Sequence, residues 1–222
     1  MRIGILVTAT WRYIDFFPPL LATLDNFCPG HERTVFLFSD TRDNFKDVVK
    51  IDIDHTPFPY ITLERYHRYL EFKHLYEDQD YLFHLDADMA VVSVGDEMLN
   101  NLTAVRHPYF LSEGTGSWEG RPASAAFVDP ALRKSYYCGG IQGGRADQYL
   151  KASDILARRI DIDKANGILA TWHDESHWNW FLANYPGSFT ELNAGYCYAE
   201  GKSIPLEKKI IALNKDKNHY RQ

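Results

Sequence analysis

Two acidic residues behind an apolar run are the first feature of this sequence that is suited to chemistry. Asp86 and Asp88 flank Ala87, directly after the mainly apolar residues 81–85. Residues i and i+2 of an extended segment point to the same side, so both carboxylates are expected to face one ion. The carboxyl end of a central strand is where open α/β sheets bind their ligands. Oxygen ligands suit Mn²⁺ or Mg²⁺, which commonly share their coordination with a diphosphate.

Acidic triplets of this kind are common, and the chain contains others. Solvated surface acids explain the remaining three, Asp52/Asp54, Asp78/Asp80 and Asp161/Asp163. Asp86 and Asp88 differ because an apolar strand precedes them and the apolar residues 89–92 follow them. Two carboxylates between apolar segments need a counter-ion, since burial of unpaired charge is costly. This context favours a metal site at Asp86 and Asp88.

A second group of reactive side chains lies in the other half of the chain. Two acids, two histidines and a tryptophan are crowded into Trp172-His173-Asp174-Glu175-Ser176-His177. One interpretation is a helix N-terminus, where Asp174 and Glu175 are favoured in the first turn. His173 and His177 have the i, i+4 spacing of a zinc site, but the residues between them do not match His-Glu-x-x-His. A zinc site is therefore disfavoured.

These segments need a scaffold, and the first half of the chain alternates short apolar runs with helical patterns. The alternation predicts an α/β fold in which helices flank a mostly parallel central sheet. The expected strands are Arg2–Thr8, 34–38, 48–53 and Tyr81–Leu85. The expected helices are 18–26, opened by two prolines, 64–76, Ala146–Ala165 and 175–184. Residues 114–120 are expected to form a flexible loop, and 136–144 are an aromatic segment followed by paired glycines.

Composition limits the class of protein. A chain of 222 residues with 45% hydrophobic and 24% charged residues is ordinary for one globular domain. The formal net charge of −6 argues against a broad basic surface for nucleic acid. Three scattered cysteines fit a reducing compartment and no apolar stretch reaches transmembrane length, so we expect a cytoplasmic protein. The 5 Trp and 14 Tyr suit sugar binding, although a tyrosine-rich core explains them more simply.

Several segments taken together resemble family 6 glycosyltransferases, the group that contains the blood-group A and B transferases and α-1,3-galactosyltransferase. The matching segments are Asp80-Tyr81-Leu82, Asp86-Ala87-Asp88-Met89, His107-Pro108, Arg121-Pro122, Tyr136-Tyr137-Cys138-Gly139-Gly140, Gly143-Gly144, Ala165-Asn166-Gly167 and Trp172-His173-Asp174-Glu175-Ser176-His177, with a weaker match at Lys217-Asn218-His219. The resemblance implies a GT-A fold and retaining transfer of Gal or GalNAc from a UDP-sugar donor to a glycan acceptor in α-1,3 linkage. In one catalytic domain, residues 1–92 would mainly bind the nucleotide-sugar and 93–206 the acceptor and donor sugar. Residues 207–222 would form a mobile tail that closes over the diphosphate.

The resemblance also implies roles for individual residues. Asp86 and Asp88 would hold Mn²⁺, or Mg²⁺, against the UDP diphosphate. Glu175 matches the key active-site carboxylate, which either attacks the sugar to form a glycosyl-enzyme or stabilises transfer on the same face. The residues implied at the donor are Ala9 and Tyr13 near the uridine, Ala87 beside the metal, Arg65, Cys138, Gly139, Gly140, His173 and Asp174 at the sugar, and Lys217 and Arg221 at the diphosphate. The residues implied at the acceptor are His107, Ser117, Trp172 and Glu175.

Donor choice and departures from the family pattern give further expectations. Small side chains at 138–140 would leave room for an N-acetyl group, so we expect GalNAc over Gal, unless the glycines only permit a tight turn. The membrane anchor and stem of vertebrate members are missing, which suggests a bacterial or phage-type member. Both aspartates are kept, whereas many bacterial relatives have asparagines and work without metal. The acceptor-contacting aspartate of the family falls near Ala199, beside Glu200.

Other functions stay open on the sequence alone. One is a GT-A transferase that uses another UDP-sugar such as UDP-glucose, and a second is an inactive relative that only binds sugar or nucleotide. A zinc hydrolase is a distant third. The intact acids Asp86, Asp88, Asp174 and Glu175 favour an enzyme, and an assay for UDP release would separate these functions.

Overall fold

A seven-stranded sheet forms the centre of the protein, whose computed structural model describes residues 1–220 except for the side chain of Lys217. Its strands are β1 (Arg2–Thr8), β2 (Glu32–Ser39), β3 (Val48–Asp52), β4 (Tyr81–Leu85), β6 (Leu102–Arg106), β7 (Tyr137–Arg145) and β8 (Thr190–Leu192). They lie in the order β3-β2-β1-β4-β7-β6-β8. The first four are parallel, β7 runs antiparallel to β4 and β6, and β8 is parallel to β6. The predicted α/β fold with a mostly parallel central sheet is confirmed.

Helices cover the sheet, with two main apolar clusters between the layers. They are α1 (Phe17–Leu21), α2 (Tyr60–Leu63), α3 (Arg65–Glu71), α4 (Ala146–Ala165), α5 (His173–Asn184) and α6 (Lys217–Tyr220). Strand β4 shows how the sheet contributes to both clusters. Its Phe83 and Leu85 belong to one cluster, and Leu82 belongs to the other. Because side chains alternate along a strand, His84 lies on the face of Leu82, and an extended continuation directs Asp86 to that face as well.

Two predicted helices are shorter than the sequence pattern indicates. The expected helix 18–26 ends at Leu21, where the Leu20 carbonyl accepts both the N–H of Thr23 at 2.9 Å and its hydroxyl at 2.8 Å, a local pattern that competes with the α-helical one. The expected helix 64–76 ends at Glu71 and continues as a short 3₁₀ turn, because the Tyr76 hydroxyl donates to the Tyr69 carbonyl. Side-chain hydroxyls thus end both helices.

Strand β7 was not predicted as a strand, since four glycines interrupt its pattern. The close crossing of β4 requires glycine at one of them: a Cβ at Gly143 would lie 2.3 Å from the Leu82 carbonyl oxygen. All of β7 except Arg145 is buried. A strand with so few side chains is therefore stable here because the neighbouring strands cover it on both edges.

The C-terminal region is anchored to a small second sheet. Strands β5 (Met89–Val91), β9 (Tyr198–Ala199) and β10 (Ile210–Ala212) form this sheet in the order β5-β10-β9. Strand β10 lies within the segment 207–222 that was expected to be a mobile tail. The backbone N–H of Leu213 then donates to the Asp88 carbonyl at 2.8 Å. Pairing with β5 therefore brings the residues after Ala212 beside the acidic triplet.

Two further findings concern the sequence predictions. Asp163 was assigned to the solvated surface, and this was wrong, because it is 2% exposed and accepts hydrogen bonds from the Ser124 hydroxyl and the Ala125 N–H. Asp163 lies on the face of α4 that points into the protein.

Among the described residues, none of the helices combines the length and apolar character needed to cross a bilayer.

Candidate active site

The turn between β4 and β5 carries the acidic pair predicted to bind a metal. Asp88 is 5% exposed, and its carboxylate Oδ2 lies 2.5 Å from the Lys215 ammonium. Burial and the charge of Asp86 raise the pKa of Asp88, while Lys215 lowers it. Burial alone would also raise the pKa of Asp86, but Arg65 and His84 hold it well below its ordinary value. Each acid of the pair therefore faces a cation supplied by the protein itself.

Arg65, at the start of α3, connects the first acidic segment to the second. Its Nε lies 3.1 Å from Asp174 Oδ2, and its Nη2 lies 3.3 Å from Asp86 Oδ1. His84 Nε2 contacts the same Asp86 oxygen at 3.0 Å, and the Tyr69 hydroxyl lies 2.7 Å from His84 Nδ1. Burial lowers the pKa of His84 to about 4, so the imidazole is neutral and Arg65 is the cation at this point.

Glu175 lies in the first turn of α5 and is held by two donors. Its Oε2 accepts the Gly139 N–H at 2.7 Å, and its Oε1 accepts the Tyr136 hydroxyl at 2.9 Å. Burial raises the pKa of Glu175 to about 7, although both hydrogen bonds lower it. Near neutral pH this carboxylate therefore exists in both protonation states, which is the condition a catalytic acid or base requires.

Helix α5 is joined to β7 so that Glu175 and Asp174 reach the same cavity. The Asn179 side chain accepts the Tyr137 N–H at 2.8 Å and donates to the Tyr137 carbonyl at 2.8 Å. Before the helix, the Ser176 hydroxyl accepts the Trp172 N–H at 2.9 Å. Burial raises the pKa of Asp174 to about 6, against the opposing charge of Arg65. The helix N-terminus favours the charged form of both acids.

Gly139 and Gly140 allow the acids to approach the sheet. A Cβ at Gly140 would lie 2.6 Å from Met89 Cε and 3.0 Å from Asp86 Oδ2, and one at Gly139 would lie 3.1 Å from Glu175 Cβ. Neither glycine has a positive φ, so a tight turn is not the reason for their presence. Because neither glycine has a side chain, space remains beside the carboxylates of Asp86 and Glu175.

Two adjoining cavities share these residues. The larger, of about 650 Å³, is lined by Tyr13 and Ala87 among others, and the smaller, of about 430 Å³, by Gly139, Gly140 and Glu175. Phe58, Thr62, Arg65 and Asp86 line both. The larger cavity lies at the carboxyl ends of β1 and β4, where open α/β sheets bind nucleotides. The smaller leads from Asp86 to Glu175, with Trp172, His173 and Asp174 in its wall.

Not every residue implied at the donor lines these cavities. Ala9 is fully buried in the core, while Thr8 and Thr10 on either side of it face the larger cavity. Cys138 is 2% exposed and packs in the apolar cluster that contains Cys197. His173, by contrast, lines the smaller cavity with a φ of +52°, and the centre of its ring lies 5.1 Å from that of Phe58 in an edge-on arrangement. Arg221 and the side chain of Lys217 lie outside the part of the chain that the structure describes.

The residues implied at the acceptor surround Tyr136. The Tyr136 hydroxyl, which donates to Glu175, also lies 3.3 Å from the Ser117 carbonyl. The His107 ring lies 5.8 Å from the Tyr136 ring, and burial lowers the pKa of His107 to about 4. Trp172 is 42% exposed at the edge of the smaller cavity. Such an exposed indole can stack on the apolar face of a sugar.

The sequence prediction missed several residues of the site. They are Thr10, His55, His84, Tyr136, Asn179, Lys215 and Tyr220. His84 had a visible signal, because it lies in β4 two residues before Asp86, which follows the end of that strand. Lys215 had none, because only the pairing of β10 with β5 brings it to Asp88. His55, whose Nδ1 lies 2.8 Å from the Thr10 hydroxyl, reaches the larger cavity from a loop.

Asp86 and Asp88 would suit a divalent cation whose remaining ligands come from a bound substrate and water. Gly140 leaves open the space beside Asp86 Oδ2 that a side chain would fill. No group of three or more His, Cys, Asp or Glu side chains suited to a metal occurs within residues 1–220 as described. The protein thus offers two carboxylates, and phosphate and water would supply the other ligands, as is usual for Mg²⁺ and similar ions.

The mostly parallel seven-stranded sheet flanked by helices, with two acids just after its central strand β4, is consistent with a fold of the GT-A type. The family model described as glycosyltransferase family 6 matches residues 1–222, and the chain belongs to this family. The resemblance found in the short motifs is therefore confirmed over the whole chain.

Individual relatives are distant but cover most of the chain. Globoside alpha-1,3-N-acetylgalactosaminyltransferase 1 of Gallus gallus is 30% identical over an alignment of 243 positions, which covers 99% of this chain and 68% of the relative. Histo-blood group ABO system transferase 1 of Rattus norvegicus is 30% identical over 195 aligned positions, which cover 81% of this chain and 56% of the relative. O-antigen biosynthesis glycosyltransferase WbnI of Escherichia coli is 24% identical over 231 aligned positions, which cover 99% of this chain and 97% of the relative.

Proposed function

We propose that this glycosyltransferase transfers GalNAc from UDP-GalNAc to a glycan hydroxyl in α-1,3 linkage, with retention of configuration and with a divalent cation. One observation carries the proposal. Glu175, held by Gly139 and Tyr136, faces the same cavity as the Arg65–Asp174 pair, and this cavity opens into the cleft that contains Asp86. A sugar placed there would have one carboxylate at its reacting face and an ion pair at its hydroxyl groups.

The reaction requires stabilisation of two opposite charges. As the glycosidic bond of the donor breaks, the sugar becomes oxocarbenium-like and the departing diphosphate gains negative charge. Glu175 would either stabilise this sugar or trap it as a glycosyl-enzyme. Mn²⁺ or Mg²⁺ at Asp86 and Asp88 would neutralise charge on the diphosphate. The retaining outcome is part of the proposal because both alternatives for Glu175, a trapped glycosyl-enzyme and transfer on the same face, keep the configuration of the sugar.

Arg65 and Asp174 are the residues proposed to recognise the donor sugar. Both side chains are nearly buried, at 5% and 7% exposure, and both border the smaller cavity. Each Arg65 nitrogen already has a protein partner. Sugar hydroxyls would therefore bind mainly at the carboxylate of Asp174, which has further acceptor positions. Because the pair is already formed, little rearrangement is needed when the sugar binds, which lowers the cost of binding.

The choice of GalNAc is supported mainly by relatives. Four of them carry N-acetylgalactosaminyltransferase in their names, among them those of Gallus gallus and Homo sapiens, with 30% and 29% identity. The open space at Gly139 and Gly140 serves the approach of Glu175 and Asp86, so these glycines support GalNAc less directly than the sequence indicated. Cys138 packs in the core and gives no support.

Competition between donors tests the proposal. Purified protein is incubated with equimolar UDP-GalNAc, UDP-Gal and UDP-glucose, with Mn²⁺ and with EDTA, and release of UDP and free sugar is followed. Donor hydrolysis needs no acceptor, so the acceptor need not be known. We expect preferential consumption of UDP-GalNAc and an α-configured free sugar at early times. A clear preference for another UDP-sugar would refute the donor assignment, and no hydrolysis of any would refute the activity.

A further inference from the structure

Lys215 occupies a position at the metal site that no motif of the sequence assigns to it. Its ammonium lies 2.5 Å from Asp88 Oδ2, with the two side chains 14% and 8% exposed. The same ammonium lies 4.9 Å from the centre of the Tyr13 ring in the wall of the larger cavity. Solvent therefore screens the contact between Lys215 and Asp88 only little, and Asp88 and Tyr13 together position the ammonium.

The backbone brings Lys215 to this position. Ile210 pairs with Val91 and Ala212 pairs with Met89, so β10 follows the strand that leaves the acidic triplet. The Leu213 N–H then donates to the carbonyl of Asp88 itself. These contacts fix the chain two residues before Lys215 and so keep its ammonium within reach of Asp88.

The pairing balances charge in the absence of a ligand. Arg65 contacts Asp86 and Lys215 contacts Asp88, so one protein cation faces each acid. A Mn²⁺ or Mg²⁺ ion needs an Asp88 oxygen at about 2.1 Å, in the space beside the Asp88 carboxylate where the ammonium lies. Two cations at this distance also repel each other. Metal and ammonium therefore compete for the Asp88 carboxylate.

We propose that Lys215 is an exchangeable counter-ion, which neutralises Asp88 in the free enzyme and moves to a phosphate of the bound nucleoside diphosphate when a divalent cation takes its place. This inference rests on the proposed function, because the phosphate is that of the donor. Lys215 then weakens metal binding to the free enzyme and strengthens nucleotide binding. It is a positioning residue with opposite effects on the two ligands.

The test measures the two ligands separately in Lys215→Met. Mn²⁺ binding without nucleotide is followed by electron paramagnetic resonance, and we expect about tenfold tighter binding than in the wild type. UDP binding at saturating Mn²⁺ is followed by calorimetry, and we expect binding weaker by about tenfold. Unchanged or weaker Mn²⁺ binding, or unchanged UDP binding, would overturn the inference. A merely structural role for Lys215 would weaken both ligands together.

Control variants separate charge from fold. Lys208→Met removes another lysine of the same region, whose ammonium lies 5.0 Å from the Tyr198 ring, and it should leave both affinities at the wild-type value. Lys215→Gln, a polar replacement, should match Lys215→Met in both directions even if the methionine variant folds poorly. In an Asp88→Asn background, Lys215→Met should no longer tighten Mn²⁺ binding. Persistence of the tighter binding there would contradict competition at Asp88.

Failure of the inference and failure of the proposed function give different results. If wild-type protein hydrolyses UDP-GalNAc but Lys215→Met leaves the two affinities unchanged, the function stands and the counter-ion role falls. If no UDP-sugar is hydrolysed, the function falls, whereas the Mn²⁺ titration without nucleotide still tests whether Lys215 and metal compete for Asp88.

Discussion

Arg65 Nε lies 3.1 Å from Asp174 Oδ2 in a nearly buried ion pair, and the same guanidinium contacts Asp86 at 3.3 Å. Asp86, proposed to bind the metal, and Asp174, which precedes the proposed catalytic residue Glu175, are thus bound to one side chain. Burial alone would lower the pKa of Arg65, but Asp174 and Asp86 raise it above its ordinary value. The guanidinium therefore stays charged and keeps both acids ionised near neutral pH, although the pKa of Asp174 is raised.

Arg65→Met is expected to destabilise the protein strongly. The change leaves the buried Asp174 and the partly exposed Asp86 without their cation. Removing one partner of a buried ion pair typically costs about 3–5 kcal/mol of unfolding free energy. Urea unfolding of variant and wild type measures the difference. Arg158→Met, at an exposed i, i+4 pair with Asp154 on α4, is the matched control and should change stability by less than about 0.5 kcal/mol. Equal stability of the two variants would show that Arg65 is not the required counter-ion.

Glu175→Gln is expected to lower donor turnover by at least about 10²-fold, because the carboxylate charge that stabilises the reacting sugar is lost. UDP affinity should stay near the wild-type value, because Glu175 lines the sugar cavity and contacts Gly139 and Tyr136. UDP release and calorimetry measure the two quantities. Glu191→Gln, which alters a carboxylate bound to the Tyr137 hydroxyl, is the control and should keep its turnover. Near-normal turnover in Glu175→Gln would make the catalytic assignment wrong.

The raised pKa of Glu175 predicts how stability varies with pH. Its value of about 7 in the folded protein exceeds the ordinary 4.5, so between these values the folded state holds a proton that the unfolded chain has lost. Stability due to this group is full below about 4.5 and is lost as the pH rises through about 7. Glutamine does not titrate, so Glu175→Gln should become more stable than the wild type by roughly 1–3 kcal/mol at about pH 8.

Thermal melts of both proteins at about pH 5 and about pH 8 test this prediction. The difference in melting temperature should be small at the lower pH and larger at the higher one. A difference that does not change with pH would show that Glu175 titrates near its ordinary value.

Much of the scaffold could be predicted because its strands are long apolar runs. Arg2–Thr8 and Tyr81–Leu85 have the predicted bounds, and helix Ala146–Ala165 does as well. Strand β7 was not predicted because a glycine-rich strand gives no apolar signal. The ends of α1 and α3 were missed because Thr23 and Tyr76 end them with side-chain hydrogen bonds, which depend on local geometry rather than on periodicity.

The candidate site likewise contains residues that the sequence predicts and residues that it does not. Residues next to one another in sequence, such as Asp86 and Asp88 or Asp174 and Glu175, could be found because their spacing carries the signal. Lys215 could not, since 127 residues separate it from Asp88 and a short strand brings it there. The metal itself, the donor sugar and the acceptor remain predictions.

The double variant Asp86→Asn with Asp88→Asn should lose stimulation by Mn²⁺. Neutral amides bind such ions weakly compared with carboxylates, so little metal would be held near the diphosphate. Donor hydrolysis with Mn²⁺ and with EDTA measures the ratio, which should fall to about one in the variant while the wild type keeps a ratio well above it. Asp78→Asn with Asp80→Asn, in another triplet, is the control. Full activity of the first variant in EDTA would contradict the metal hypothesis.

Gly140→Ala should damage the site because its Cβ would press on Met89 and on Asp86 Oδ2. We expect loss of donor hydrolysis by about tenfold or more, with a destabilisation of about 1–3 kcal/mol from overpacking. Gly120→Ala is the matched control, since no atom lies within 4 Å of the added carbon. UDP release and urea unfolding measure both variants. Equal behaviour of the two would show that space beside Asp86 is not required.

The anchoring of β10 sets a limit on how far the residues that follow it can travel. Three residues lead from Ala212 to Lys215, and an extended chain spans at most about 3.6 Å per residue, so the Lys215 Cα stays within about 11 Å of the anchor. The range of this motion is therefore set by chain length, and adding or deleting residues between 213 and 215 would change the reach of the ammonium directly. A change in the length of this segment would therefore alter the proposed exchange between the metal ion and Lys215 at Asp88.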